Sequence, residues 1–168
     1  MTFIVDGTNG LTFNNSTTQA SAGVVLQVVQ TVLTTAFSTT STSYTDVTGL
    51  SVSITPKFST SKILVTASIG GQDSSYGDCF TQLVRGSTAI GNSTAGSTTN
   101  GFAFASGAST AQAFSSCFVY LDSPATTSAT TYKVQLLNDN TGTAYINRRA
   151  SGADLGATST ITVMEIAA

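Results

Sequence analysis

Apolar and polar residues alternate along most of this chain with a period of two, the signature of strands that bury one face. "LSVSITP" sets Leu50, Val52 and Ile54 against Ser51, Ser53 and Thr55, and stops at Pro56, which cannot donate to a central ladder. "KILVTASIGG" does the same from Lys62 to Gly71, with Ile63, Val65, Ala67 and Ile69 opposed to Leu64, Thr66 and Ser68. "CFTQLVRGSTAIG" predicts a strand to Arg85, a hairpin turn at Gly86-Ser87 and a short strand to Ile90. Further strands are predicted at "AFSSCFVYLD" (Ala113 to Asp122), "TYKVQLLN" (Thr131 to Asn138), "AYIN" (Ala144 to Asn147) and "STITVMEI" (Ser159 to Ile166). The joints "SPATTS", "DNTG" and "SGADLG" supply turn-forming Pro, Gly, Asn and Asp.

Two segments depart from this pattern. Val24 to Ala36 opens as a nearly unbroken apolar run, "VVLQVVQTVL". Its β-branched content favours a long strand buried on both faces, and a short helix of an oligomer stalk is the competing reading. Asn92 to Gln112 is a low-complexity loop interrupted by Phe102 and Phe104, and a loop of that length inside a domain is usually functional or disordered. The total is nine or ten strands without a convincing helix, which predicts an all-β protein, an antiparallel β-sandwich of the class that includes jelly rolls. The polar, turn-rich stretch "VDGTNGLTFNNSTTQASAG" ahead of it reads as an N-terminal extended arm, giving an arm at 1–23 and a sandwich at 24–168.

Composition narrows the chemistry. Serine and threonine make up about a third of the 168 residues, charged residues only 8%, and histidine and tryptophan are absent. Solubility then rests on hydroxyls and amides, because a net charge of −2 gives little self-repulsion. Six scattered Lys and Arg argue against nucleic acid, whose binding depends on phosphate neutralisation. No apolar run approaches the ~20 residues of a membrane span, so no membrane insertion is expected, and Met1 is not followed by an export signal. Cys79 and Cys117 are too few for a zinc site, and read either as two reduced core thiols or as a strand-to-strand disulfide.

If successive strands run up and down between the two ends of the sandwich, their connections alternate between ends. Gly70 to Asp78, Gly91 to Gln112 and Asn138 to Thr143 then share one pole. The arm shares the other with Pro56 to Ser61, Gly86-Ser87, Asp122 to Thr130 and Arg148 to Thr158. An arm that attaches at one end and loops that vary at the other is the layout of an adhesive tip.

At the front, "GTNGLTFNNSTTQ" is similar to an arm segment of bacteriophage fibre proteins. "FSTSKILVTASIGG", "SPATTSATTYKVQLLN", "YINR" and "TSTITVMEI" resemble strands of their globular tips. The chain thus resembles the tail or head fibres of tailed phages of marine and freshwater bacteria. Asn14, Asn15 and Ser16 stand where proline, aspartate and glycine are more usual in the arm. The resemblance implies a tumour-necrosis-factor-like jelly roll that assembles as a parallel homotrimer on a virion, made in the bacterial host cytoplasm. The arm would dock onto other virion proteins through Val5, Leu11 and Phe13. The implied function is attachment to the host surface, with a purely structural virion subunit, a head decoration or tail adaptor, as the alternative.

Candidate chemistry is sparse. Without histidine a serine nucleophile lacks its usual base, and no Gly-x-Ser-x-Gly elbow is present, so no enzyme and no cofactor are expected. Asp73, Asp78 and Asp139 are the carboxylates that a glycan-cleaving pair or a calcium ion would need, and they read better as turn aspartates, so no metal is expected. For binding a host polysaccharide, Tyr76, Phe102 and Tyr145 offer flat apolar faces, and Gln72, Asp73, Asn100 and Asn138 offer hydrogen bonds. Phe104 is a further aromatic candidate, and both it and Tyr145 serve equally as packing residues. The Arg148-Arg149 doublet, placed toward the arm, suits an ion pair between subunits or with a neighbouring virion protein rather than receptor contact.

Overall fold

The computed structural model describes residues 24–106 and 112–167, and the backbone alone at 4–6, 10–12, 18–19 and 153–154. In chain order the strands are β1 (Ile4–Asp6), β2 (Gly10–Thr12), β3 (Thr18–Gln19), β4 (Val25–Leu33), β5 (Phe37–Thr39), β6 (Thr45–Ile54), β7 (Lys62–Ser74) and β8 (Asp78–Arg85). They continue with β9 (Thr88–Ile90), β10 (Ala103–Ser106), β11 (Phe114–Asp122), β12 (Thr130–Asn138), β13 (Ala144–Ile146), β14 (Arg148–Arg149), β15 (Gly152–Gly156) and β16 (Ser159–Ile166). The described chain is all-β, and every strand pairing is antiparallel. The run "VLQVVQTVL" is a strand, β4, and not a helix.

Two sheets face each other. The first has the order β10-β8-β12-β6, with β9 also on β8; the second has the order β4-β16-β7-β13-β5, with β11 on β7. β1, β2 and β3 form a separate small meander in which Val5 and Leu11 are register partners. Phe13 lies outside the described residues.

Alternation buries one face of each sheet against the other, as the sequence pattern requires. Leu50, Val52 and Ile54 of β6 and Val134 and Leu136 of β12 meet Ile63, Val65, Ala67 and Ile69 of β7, Phe118 of β11, and Ile161 and Val163 of β16. Each such side chain contributes about 1.5–3 kcal/mol of transfer free energy. Tyr132 is buried among them and donates its hydroxyl to Asp122 Oδ2 at 2.6 Å, and Arg85 Nη1 donates to both carboxylate oxygens of Asp122 at 2.8 and 2.9 Å. Burial, reinforced by Asp122, raises the Tyr132 pKa, so the phenol stays a neutral donor.

The placement of loops holds in part. Backbone bonds join Ser75 N to Thr143 O and Asn138 N to Ser41 O, so the turns after β7, β12 and β5 gather at one pole. At the other pole Ile166 pairs with Lys62 and with Val25, which brings the start of β4, where the arm joins, beside the turn before β7. Two placements need correction, and for one reason.

β9 and β10 pair with the same strand in the same sense, Ile90 opposite Leu83 and Ala103 opposite Thr81, so they are two halves of one edge strand. Residues 91–102 therefore leave from the middle of the sheet edge and return there, rather than forming one long polar-end loop with 103–112. β13 and β16 are likewise two halves of one strand along β7, Tyr145 opposite Asp73 and Thr160 opposite Ser68. The β14–β15 hairpin between them, with Arg148 and Arg149, sits beside Gly70, Gly71 and Asp73, toward the pole away from the arm.

Both cysteines are free, and only one is a core thiol. Cys79 is buried, which pushes its thiol up to about 11, while Cys117 is exposed on the outward side of β11.

Candidate functional site

The excursion 91–102 is a closed loop on the edge of the first sheet. Gly91 opens it at φ +70°, where a Cβ would press into the Phe102 ring at 2.6 Å. Ser93 N donates to Gly101 O at 3.0 Å, closing the neck. Inside it, Asn100 bridges the backbone of Gly96, accepting from its N–H at 2.8 Å and donating to its carbonyl at 3.0 Å. Gly101 passes so close to Thr81 O and the Tyr44 hydroxyl that a Cβ would lie 2.8 Å from each. Tyr44 donates to Asn100 O at 2.7 Å, and burial pushes its phenol up to about 12, so this anchor stays protonated at all physiological pH values.

Phe102 turns inward from the neck. Its ring lies 4.9 Å from that of Phe118 and 6.4 Å from that of Tyr120, edge-on to the latter. It fastens the loop to the core and contributes one wall of what lies above. Within β10 Ala103 and Ala105 face the core, so by alternation Phe104 between them points outward, and it is 64% exposed. Its register partner on β8 is Phe80, also outward, and the two rings stack with centroids 5.5 Å apart.

The result is an open depression of about 420 Å³. Phe80 and Phe104 provide an aromatic floor, and Ser93, Thr99, Asn100 and the Gly96 backbone a polar wall. Among the described residues no charged side chain lines it. Such a combination offers a ring face for C–H-rich apolar surface, with hydroxyl and amide groups alongside for hydrogen bonds.

The other residues singled out from sequence are differently placed. Gln72, Asp73 and Asn138 are buried, because β7 and β12 run on through them. Gln72 Nε2 donates to Cys79 O at 3.1 Å and its Oε1 accepts from Ser116 Oγ at 3.0 Å. Asp73 accepts from the amides of Ser74 and Ala150, each at 2.7 Å, tying the β14–β15 hairpin to β7. Asn138 Nδ2 donates to Ser74 Oγ and to Tyr76 O. These three side chains therefore hold the polar turns in shape and present no free donor or acceptor to a sugar. Tyr76 stands exposed in the β7–β8 turn and does not line the depression. Tyr145 is half-buried under the Arg148 guanidinium, 4.7 Å from its ring centroid.

Of the sequence candidates, Asn100 and Phe102 thus belong to one site, and Phe104, also weighed, is its most exposed member. Phe80 was missed. Its signal was available, since "CFTQLVR" puts Phe80 on the face opposite Cys79, Thr81 and Leu83. Among the described residues no three His, Cys, Asp or Glu side chains gather as a metal site; Asp139 instead accepts the Asp78 amide at 2.7 Å. Compared with known proteins, the sequence matches no family model and no curated protein.

Proposed function

We propose that this chain is a non-enzymatic attachment protein, the glycan-binding tip of a trimeric phage fibre whose arm joins it to the virion. The observation that carries the sugar-binding reading is the exposed Phe104 ring stacked on Phe80 beneath a polar, uncharged loop. Pyranose rings present one face of C–H groups, which such a floor accepts, and an equatorial belt of hydroxyls, which Ser93, Thr99 and the loop backbone can meet. A lining without charge favours neutral sugars over uronates or phosphosugars, since a carboxylate held there would lose water without gaining a cation. The virion assignment is supported by the resemblance of the arm and of the strand sequences to phage fibres.

The test is binding of the intact protein to neutral hexose oligosaccharides and to their uronate-bearing counterparts. Phe104→Ala should abolish binding to the neutral set while leaving the thermal transition within about 2 °C, because an exposed surface residue contributes little to stability. Unchanged binding in that variant, or preference for the acidic sugars, would remove this site from consideration.

A further inference from the structure

Among the described residues the outward face of the second sheet has no partner. Register places its residues in rows across four strands: Val28, Met164, Leu64 and Leu121; then Gln30, Thr162, Thr66 and Val119; then Val32, Thr160, Ser68 and Cys117. Val28, Val32, Val119 and Leu121 are each at least half exposed. Gln30 Nε2 donates to Thr162 Oγ1 at 2.7 Å, so this central polar pair is satisfied within the face. A fourth row, Val25, Ile166 and Lys62, carries the sole charge of these rows, at the arm pole.

We infer that this face is where copies of the chain meet, around an axis running along the strands; the inference deepens the trimeric reading above and rests on it for the number of copies. Size is the first support. Four strands about 4.8 Å apart and eight residues rising about 3.3 Å each make a face of about 20 by 25 Å. That is about 500 Å² in plan and more with side-chain relief, approaching the ~800 Å² per partner of a standard stable interface.

Exposure is the second support. The apolar residues of β4 and β11 are the most exposed of the face, and the half-buried Thr160, Thr162 and Thr66 lie between them, so the exposed apolar columns of one copy can cover those of the next. Charge is the third. A face without carboxylates or central cations has nothing with which to select a charged foreign partner, whereas an identical uncharged face meets it without stranded ions. Finally, the arm enters at the start of β4, on the rim of this face, so copies joined along the strands send their arms out at one end.

The two cysteines give an internal readout. Cys117 lies on the face and Cys79 in the core, so assembly should shield the first from maleimide, and the second is shielded in either state. The experiment measures the solution mass and the Cys117 labelling rate of the full chain, of Val119→Lys with Leu121→Lys, and of Thr162→Arg. Ser51→Lys with Ser53→Lys on the other sheet is the control, and circular dichroism checks that each variant is folded.

The expected result is a native mass of three times 17.1 kDa with slow labelling, falling threefold with fast labelling in both face variants and unchanged in the control. A folded native monomer, or face variants that keep the native mass, would overturn the proposal. Binding of free neutral oligosaccharide by the monomeric variants reports on the Phe104 site separately, so either reading can fail alone.

Discussion

The two sheets share one core and one alternation, yet their outward faces are opposites. On the first sheet Asp46 accepts from Lys133 Nζ at 2.7 Å and from Gln135 Nε2 at 2.6 Å. Gln82 donates to Gln135, and Asn92 donates to Gln82, so a hydrogen-bonded ladder crosses from β6 to the 91–102 loop. On the second sheet the outward positions are mostly Val, Leu and Thr, with Gln30 bonded to Thr162 and Lys62 alone charged in these rows. Inward positions are fixed by the need for a core and look alike in both sheets. Outward positions are free of that need, so their chemistry records what lies outside: in the proposed account, water and sugar on one side and another apolar surface on the other.

The contrast can be broken from either side. The largest effect is expected from Val28→Lys with Val32→Lys on β4, which would place ammonium groups without counter-charges inside the assembly, at several kcal/mol per ion. Native mass spectrometry should show the assembly fall to single chains. Phe118→Ala acts beneath both faces. It removes a fully buried ring that also supports Phe102, and should cost about 3–5 kcal/mol in urea unfolding while weakening sugar binding.

Acid sharpens the comparison, because each sheet holds one carboxylate below its ordinary range. For Glu165, on the second sheet, burial opposes the charged form, but hydrogen bonds from Gln27 Nε2 and from the amides of Lys57 and Phe58 outweigh it. For Asp46, on the first, the causes are the hydrogen bonds from Lys133 and then Gln135. A carboxylate depressed on folding adds stability above its unfolded pKa, near 4.5 for Glu, and loses it as pH falls through the lower folded value. Stability should therefore decline as acid passes below that range. Glu165→Gln should flatten this decline far more than Asp46→Asn, whose half-exposed site is screened by solvent. Equal flattening would mean that the Glu165 clamp on the turn before β7 is not the main acid-sensitive joint. The smallest effect is expected from Gln135→Ala, which cuts the ladder in the open and should cost about 0.5–1 kcal/mol with no change in native mass.

Much of the fold could be read from the chain. The alternation of β6 from Leu50 to Ile54 and of β7 from Ile63 to Ile69 is explicit in the sequence, and each strand buries the apolar side it predicts. Alternation does not record whether the chain reverses between two strands, which is why β13 and β16 read as turning back when they continue one line, while the low-complexity composition of 92–112 hid β10, which continues the line of β9. The site suffered from the same limit. Phe102 and Asn100 were visible as unusual residues in a bland loop, but the partnership of Phe104 with Phe80 depends on the register at which the chain returns after twelve residues, and no local pattern sets that. Gln72, Asp73 and Asn138 look like loop residues because polar side chains mark sheet ends. Buried hydrogen bonds to turns use the same side chains, and composition does not separate the two uses. The apolar run of β4 predicts a strand buried on both faces; the strand forms, but Val25, Val28 and Val32 stand at least half exposed on its outward side.

The division of labour between the faces is most directly tested by the dissociation rate from a dense neutral-polysaccharide surface, comparing the native chain with Val119→Lys, Leu121→Lys. Three linked sites should release about 10²- to 10⁴-fold more slowly than one, while affinity for a free oligosaccharide stays the same in both proteins. Equal dissociation rates, or a face variant that loses affinity for the free sugar, would contradict the account.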